Sequence, residues 1–175
     1  RAACQILDHT CLDWCVFTAP DQAKNDHRRP NASIIGAPQA KGDIHTHSQP
    51  VGNLVFFNES GQLYLPSLYA QCLASDSGWK IPLNIPKNLS NDLKVTVHFS
   101  TWDCGSTITF QSTSPHLESA TFSTEHTALF SSQAATYTIP LETALKLSQL
   151  DVILTSSGQA AVKEHGVSLN ALIIQ

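Results

Sequence analysis

From residue 51 onward the chain is a succession of short apolar or alternating segments, separated every few residues by Gly, Pro, Asn, Asp or Ser. "DLKVTVHF" (92–99) shows the pattern most clearly. Successive side chains of a strand point to opposite faces, so Val95, Val97 and Phe99 would share one face and Lys94, Thr96 and His98 the other. "STITFQS" (106–112) repeats this with Ile108 and Phe110. "NLVFF" (53–57), "GWKIPLNIP" (78–86), "HLESATFST" (116–124), "ATYTIPL" (135–141), "LDVILTSSG" (150–158) and "GVSLNALIIQ" (166–175) read as further strands, and "QLYLPSLYAQCL" (62–73) as two pieces broken at Pro66. "LETALKLSQ" (141–149) suggests a helical turn or two, and residues 1–17 a short helical or knotted segment held by cysteine. Many short strands joined by turn residues build an antiparallel sandwich, whereas a parallel α/β fold needs long helices between strands. The fold expected is therefore all-β, an antiparallel β-sandwich of jelly-roll type with little helix. No fixed repeat period points to a propeller or solenoid.

The first fifty residues differ. Residues 1–17 hold three cysteines and scattered apolar residues, and residues 18–50 are punctuated by Pro20, Pro30, Pro38 and Pro50 with few apolar residues beyond Ile34 and Ile35. The division expected is a disulfide-bearing N-terminal segment and irregular arm over 1–50, followed by a sandwich over 51–175. A hydrophobic share of 42% in 175 residues supports one real core.

Ten Lys and Arg against fourteen Asp and Glu leave a net charge of −4, with charged residues only 14% of the chain. A nucleic-acid binder needs a clustered basic face, so that class is set aside. No apolar run approaches the ~18 residues of a membrane-spanning helix. Polarity comes mostly from Ser, Thr, Asn and Gln, a balance common in extracellular β-proteins. The chain starts at Arg1 and contains no methionine, which fits removal of a secretory signal or the cut of a maturation protease. The expected location is secreted.

Five cysteines fit an oxidising compartment with two bridges and one spare. The preferred pairings are Cys72 with Cys104 in the body and one pair among the N-terminal three, taken as Cys4 with Cys15. The alternative, an N-terminal cysteine reaching into the body, stays open. Three N-x-Ser sequons, at Asn31, Asn58 and Asn88, fall in segments read as loops and are glycosylation candidates.

The chemistry-bearing patterns are few. "DIHTH" (43–47) would put His45 and His47 on one strand face, half of a metal site. No third ligand is tied to them by spacing, so the expectation is no cofactor, with a metal ion at His45 and His47 as the exception. Cys4, His9, Cys11 and Cys15 match no familiar zinc spacing. There is no GxSxG elbow and no Gly-rich phosphate loop, and the acidic residues are dispersed. Catalysis has no positive support, and no catalytic residue is assigned. Glycan recognition uses exposed aromatics on sugar CH faces with polar groups reading hydroxyls. The candidates are Trp102 with Asp103 in "STWDCGS", Trp79 in "SDSGWK", and Tyr64.

Residues 135–175 resemble the closing strands of galactose-binding-like jelly rolls and carbohydrate-binding modules. There a Tyr- or Thr-bearing strand leads through a short turn to strands of the "LDVILTSSG" and "GVSLNALIIQ" kind. The resemblance implies the sandwich and glycan recognition and transfers no ligand residue. The function expected is secreted, non-catalytic binding of a glycan at loop ends of the sandwich. The alternatives are a secreted factor binding an extracellular host protein, and a metal-dependent enzyme built on His45 and His47.

Overall fold

A computed structural model describes residues 12–16, 34–36, 39–41, 56–57, 63–64, 68–71, 78–113, 116–127, 131–157 and 166–175. These residues form two five-stranded antiparallel sheets, a separate two-stranded ribbon and one four-residue helix. The strands are β1 (Asp13–Val16), β2 (Gln39–Lys41), β3 (Phe56–Phe57), β4 (Leu63–Tyr64), β5 (Leu68–Gln71), β6 (Gly78–Asn84), β7 (Leu93–Thr101), β8 (Cys104–Thr113), β9 (His116–Thr127), β10 (Ser131–Ile139), β11 (Gln149–Ser157) and β12 (Gly166–Ile174). Helix α1 is Leu141–Ala144.

The first sheet runs β1-β12-β7-β10, with β5 also pairing β12; the second runs β2-β6-β11-β8-β9; β3 and β4 make the ribbon. The alternation in β7 works as expected. Leu93, Val95, Val97 and Phe99 are buried while Lys94 is exposed, and Thr96 bonds Thr136 across the exposed outer face at 3.1 Å. Val95, Val97 and Phe99 face Ile174, Leu172 and Leu169 of β12. The opposing sheet supplies Trp79, Ile81, Leu83, Ile108, Phe110, Leu150, Val152 and Leu154 to the same core. A single cluster drawn from both inner faces is the sandwich arrangement. Phe110 and Tyr137 meet across the two sheets with ring centroids 5.1 Å apart.

The described residues among the first fifty pair with this body. β1 pairs β12 from Asp13 opposite Ile174 to Val16 opposite Ala171, and β2 pairs β6. Ile34 and Ile35 are buried, and Ile35 bridges Leu83. The Asp13 carboxylate, 2% exposed, accepts hydrogen bonds from the backbone N–H groups of Ile34 and Ile35 at 3.0 Å each. Asp13 thus ties the edge of one sheet to a segment laid against the edge of the other. The arm's described pieces are sheet edges, and residue 50 does not separate them from the sandwich.

β12 carries a bulge between Leu169 and Ala171. Asn170 there accepts from Ser168 at 2.8 Å and donates to Ser100 at 2.7 Å, all three buried. These bonds satisfy three polar side chains buried beside the bulge. Gly78 begins β6 against β11, where a Cβ would fall on the Leu154 carbonyl oxygen, so the strands approach too closely there for any side chain.

Candidate functional site: a polar cleft at one end of the sandwich

Three strand ends meet at the end of the sandwich where β6 stops, β7 starts and β12 finishes. The connection after β6 reads "IPKNLSND" (85–92). Pro86 and a turn at Lys87 and Asn88 halt the strand. Three bonds hold the connection down. Ile85 N–H donates to Ser148 O at 3.0 Å, Lys87 Nζ to Leu147 O at 3.3 Å, and Asp92 Oδ1 accepts the N–H of Leu141 at 2.8 Å. The last bond satisfies the first turn of α1, whose N-cap is Pro140 with no side-chain cap of its own. Leu89 packs partly buried against the core.

The opposite wall is built by strand pairing. Lys94 and Gln175 exchange backbone hydrogen bonds at 2.9 Å, and Leu12 N–H donates to Ile174 O at 2.7 Å. The result is an open cleft of about 420 Å³ lined by Leu12, Asn88, Leu89, Ser90, Asn91, Asp92, Lys94 and Gln175. Its volume falls among small-molecule sites of about 300–1,000 Å³. The lining offers amides from Asn88, Asn91 and Gln175, one carboxylate, one ammonium and one hydroxyl around two leucines. One charge of each sign gives no net attraction for a phosphate or a cation, and the donor and acceptor mix suits a neutral polyhydroxy ligand.

The sequence candidates lie elsewhere. Trp102 and Asp103 follow β7 at the other end of the sandwich, about 25–30 Å along that strand from Lys94 at ~3.3 Å per residue. Trp102 is half-buried, and its N–H donates to Gly166 O at 2.8 Å. Asp103 is 7% exposed with φ 56°, a left-handed turn residue that Asp adopts more readily than most. Trp79 was expected to frame a loop-end site, but it is 5% exposed and part of the core cluster. Its ring cannot stack on a ligand, because it faces inward from β6 opposite Leu154. Its Nε1 and the Thr101 Oγ1 are buried without a hydrogen-bond partner. Tyr64 pairs Phe56 in the ribbon, and its side chain lies outside the described residues, as do His45, His47, Cys4, Cys72, Asn31 and Asn58. Cys15 lies opposite Leu172 in β1. Asn88 is exposed in its turn.

Among the described residues no group of three His, Cys, Asp or Glu is placed to hold a metal. No helix there is long and apolar enough to cross a membrane. His98 lies in mid-β7 on the outer face, between Ala134 and Ala171. Burial pushes its pKa below the ordinary 6.5 by disfavouring the charged form. The folded state therefore binds fewer protons than the unfolded chain around that pH. The stability tied to His98 is complete above 6.5 and falls as pH drops from there toward the lower folded value. We expect Tm to decline with acidification below 6.5 and His98→Gln to flatten that decline. An unchanged slope in the variant would assign it to another group.

Comparison with known proteins adds fold likeness and no assignment. No family model matches, and no curated protein matches by sequence. Among solved structures the chain is similar to the xylan-binding module CBM15, at 12% identity and TM-score 0.43, covering 79% of this chain and 95% of that one. It is also similar to TmCBM61 in complex with β-1,4-galactotriose, at 12% identity and TM-score 0.38, covering 79% and 83%. A third is the exo-β-1,3-galactanase Pc1,3Gal43A of Phanerochaete chrysosporium with galactose, at 14% identity and TM-score 0.32, covering 80% of this chain and 29% of that one. With TM-scores below 0.5 these likenesses carry no functional argument. The chain is an all-β sandwich whose structural neighbours include carbohydrate-binding modules, and its function has to be argued from the cleft.

Proposed function

We propose that the protein is a secreted, non-catalytic binding protein that recognises a neutral glycan in the cleft formed by residues 88–92, Lys94, Gln175 and Leu12. The observation that carries this reading is the lining. Six polar residues and two leucines line an open cavity of about 420 Å³. Amides and the Asp92–Lys94 pair of charges read hydroxyls, and the leucines meet CH surface. Among the described residues no aromatic lines the cleft, and hydrogen bonding from the polar lining carries the affinity.

Secretion is part of the reading. Cys104 is fully buried and disulfide-bonded, which supports an oxidising compartment. Strand register favours Cys72 as its partner. Gln71, the last residue of β5, lies opposite Gly166, and Gly166 O accepts the backbone N–H of Trp102, two residues before Cys104 at the start of β8. Cys15, opposite Leu172, is several rungs away.

A glycan array tests the proposal, probed with oxidised protein lacking any glycan at Asn88, with and without calcium and zinc. The expected result is a related family of neutral binders. Lys94→Ala should weaken them roughly 10–100-fold, the worth of about 1.5–3 kcal/mol for one hydrogen bond from a charged group. Trp102→Ala should leave them unchanged. The reverse pattern would move the site to the Trp102 end. A zinc requirement would return attention to His45 and His47. A blank array with folded protein would favour an extracellular protein as the partner.

A further inference from the structure

We propose that Asn88 is an N-glycosylation site whose glycan seats over the cleft, so that occupancy of Asn88 decides how much of the protein can take up an external ligand. This rests on the secreted, glycan-binding reading above. The sequon residues Asn88, Leu89 and Ser90 are themselves cleft lining. Asn88 and Ser90 are exposed and Leu89 is half-buried, and Asn88 sits in the turn that follows β6. The Ser90 hydroxyl accepts a long 3.5 Å hydrogen bond from Asn91 Nδ2. The sequon is therefore open to an acceptor-scanning enzyme in the folded chain as well as during synthesis.

In the transfer, the Asn88 side-chain nitrogen forms a C–N bond to the anomeric carbon of a sugar. That sugar is supplied by a lipid-linked sugar diphosphate, as in any N-glycosylating secretory route. The anomeric C–O bond breaks, the lipid diphosphate leaves with the electron pair, and the amide gives up one proton. The first sugar is then fixed on the rim of a cavity whose other groups, Asn91, Asp92, Lys94 and Gln175, suit hydroxyls. Tethering raises its local concentration far above that of a free sugar, so even a weak fit keeps the cleft covered.

The experiment uses full-length protein secreted from a glycosylating eukaryotic host. Peptide mass spectrometry reads whether residue 88 carries hexosamine. The acetylation rate of Lys94 is then measured with an amine-reactive ester before and after amidase removal of N-glycans. Lys80, on the outer face of β6, serves as the control. The expected result is a modified Asn88 and a Lys94 that reacts severalfold faster once the glycan is gone, with Lys80 unchanged. An unmodified residue 88 overturns the proposal, as does a Lys94 rate indifferent to the glycan or a Lys80 that shifts equally. Because Lys94 protection needs no external ligand, its failure is distinct from a blank array, which would sink the binding reading instead.

Discussion

Asp13→Ala is expected to cost about 3–6 kcal/mol, since it removes two charge-assisted hydrogen bonds worth about 1.5–3 kcal/mol each. The carboxylate is 2% exposed and accepts from the backbone of Ile34 and Ile35 at 3.0 Å. Alanine would leave both N–H groups buried with nothing in place of the carboxylate. Against a total stability of about 5–15 kcal/mol, a loss of that size unfolds a substantial fraction of the protein under mild denaturant. The change should also reach the cleft, because Leu12 lines it and is anchored to Ile174 one residue before Asp13. Asp13→Asn keeps one acceptor and should fall between wild type and alanine. Urea unfolding of the three proteins tests the point. An alanine variant within about 0.5 kcal/mol of wild type, the range of a surface change, would mean that this carboxylate does not clamp the sheets.

Phe110→Ala is the second large effect, expected at about 3–5 kcal/mol as a buried aromatic truncation. Phe110 is fully buried in β8 opposite Val152 of β11, and its ring meets Tyr137 of the other sheet at 5.1 Å with planes tilted 36°. The loss therefore combines apolar burial with one contact between the sheets. Close-packed neighbours relax only partly around the void. Phe110→Leu, which refills most of the volume, should recover most of the stability. Thermal and urea unfolding of both variants give the comparison. Equal losses for leucine and alanine would point to the ring contact itself rather than to volume.

Much of the body was legible because a half-buried strand writes its geometry into a two-residue alternation. "DLKVTVHF" became β7 with its apolar residues inward, "QLYLPSLYAQCL" became β4 and β5 on either side of Pro66, and "LETALKLSQ" shrank to the single turn of α1. The edges were harder to read. The DWCV of β1 and the QAK of β2 are short and mixed, and their strand character comes from the neighbours they pair with. Trp79 misled for a related reason. Its place after a turn suggests exposure, but the inward phase of β6 takes it into the core.

The cleft shows what lay beyond reach. "KNLSND" advertises a polar loop, and Asn88 was visible as a sequon. Nothing local says that this loop stands against Lys94, Gln175 and Leu12. Those residues are collected by the pairing of β1 and β7 with β12, which joins segments far apart in the sequence. The amino-acid sequence by itself determined the all-β class, the main strands and the inward faces of β7 and β8, because side-chain alternation and turn chemistry are local properties. Only the tertiary structure decided which sheet edge took the N-terminal strands, which tryptophan was buried, and where polar side chains converged, because those depend on long-range backbone hydrogen bonding between segments that share no local signal.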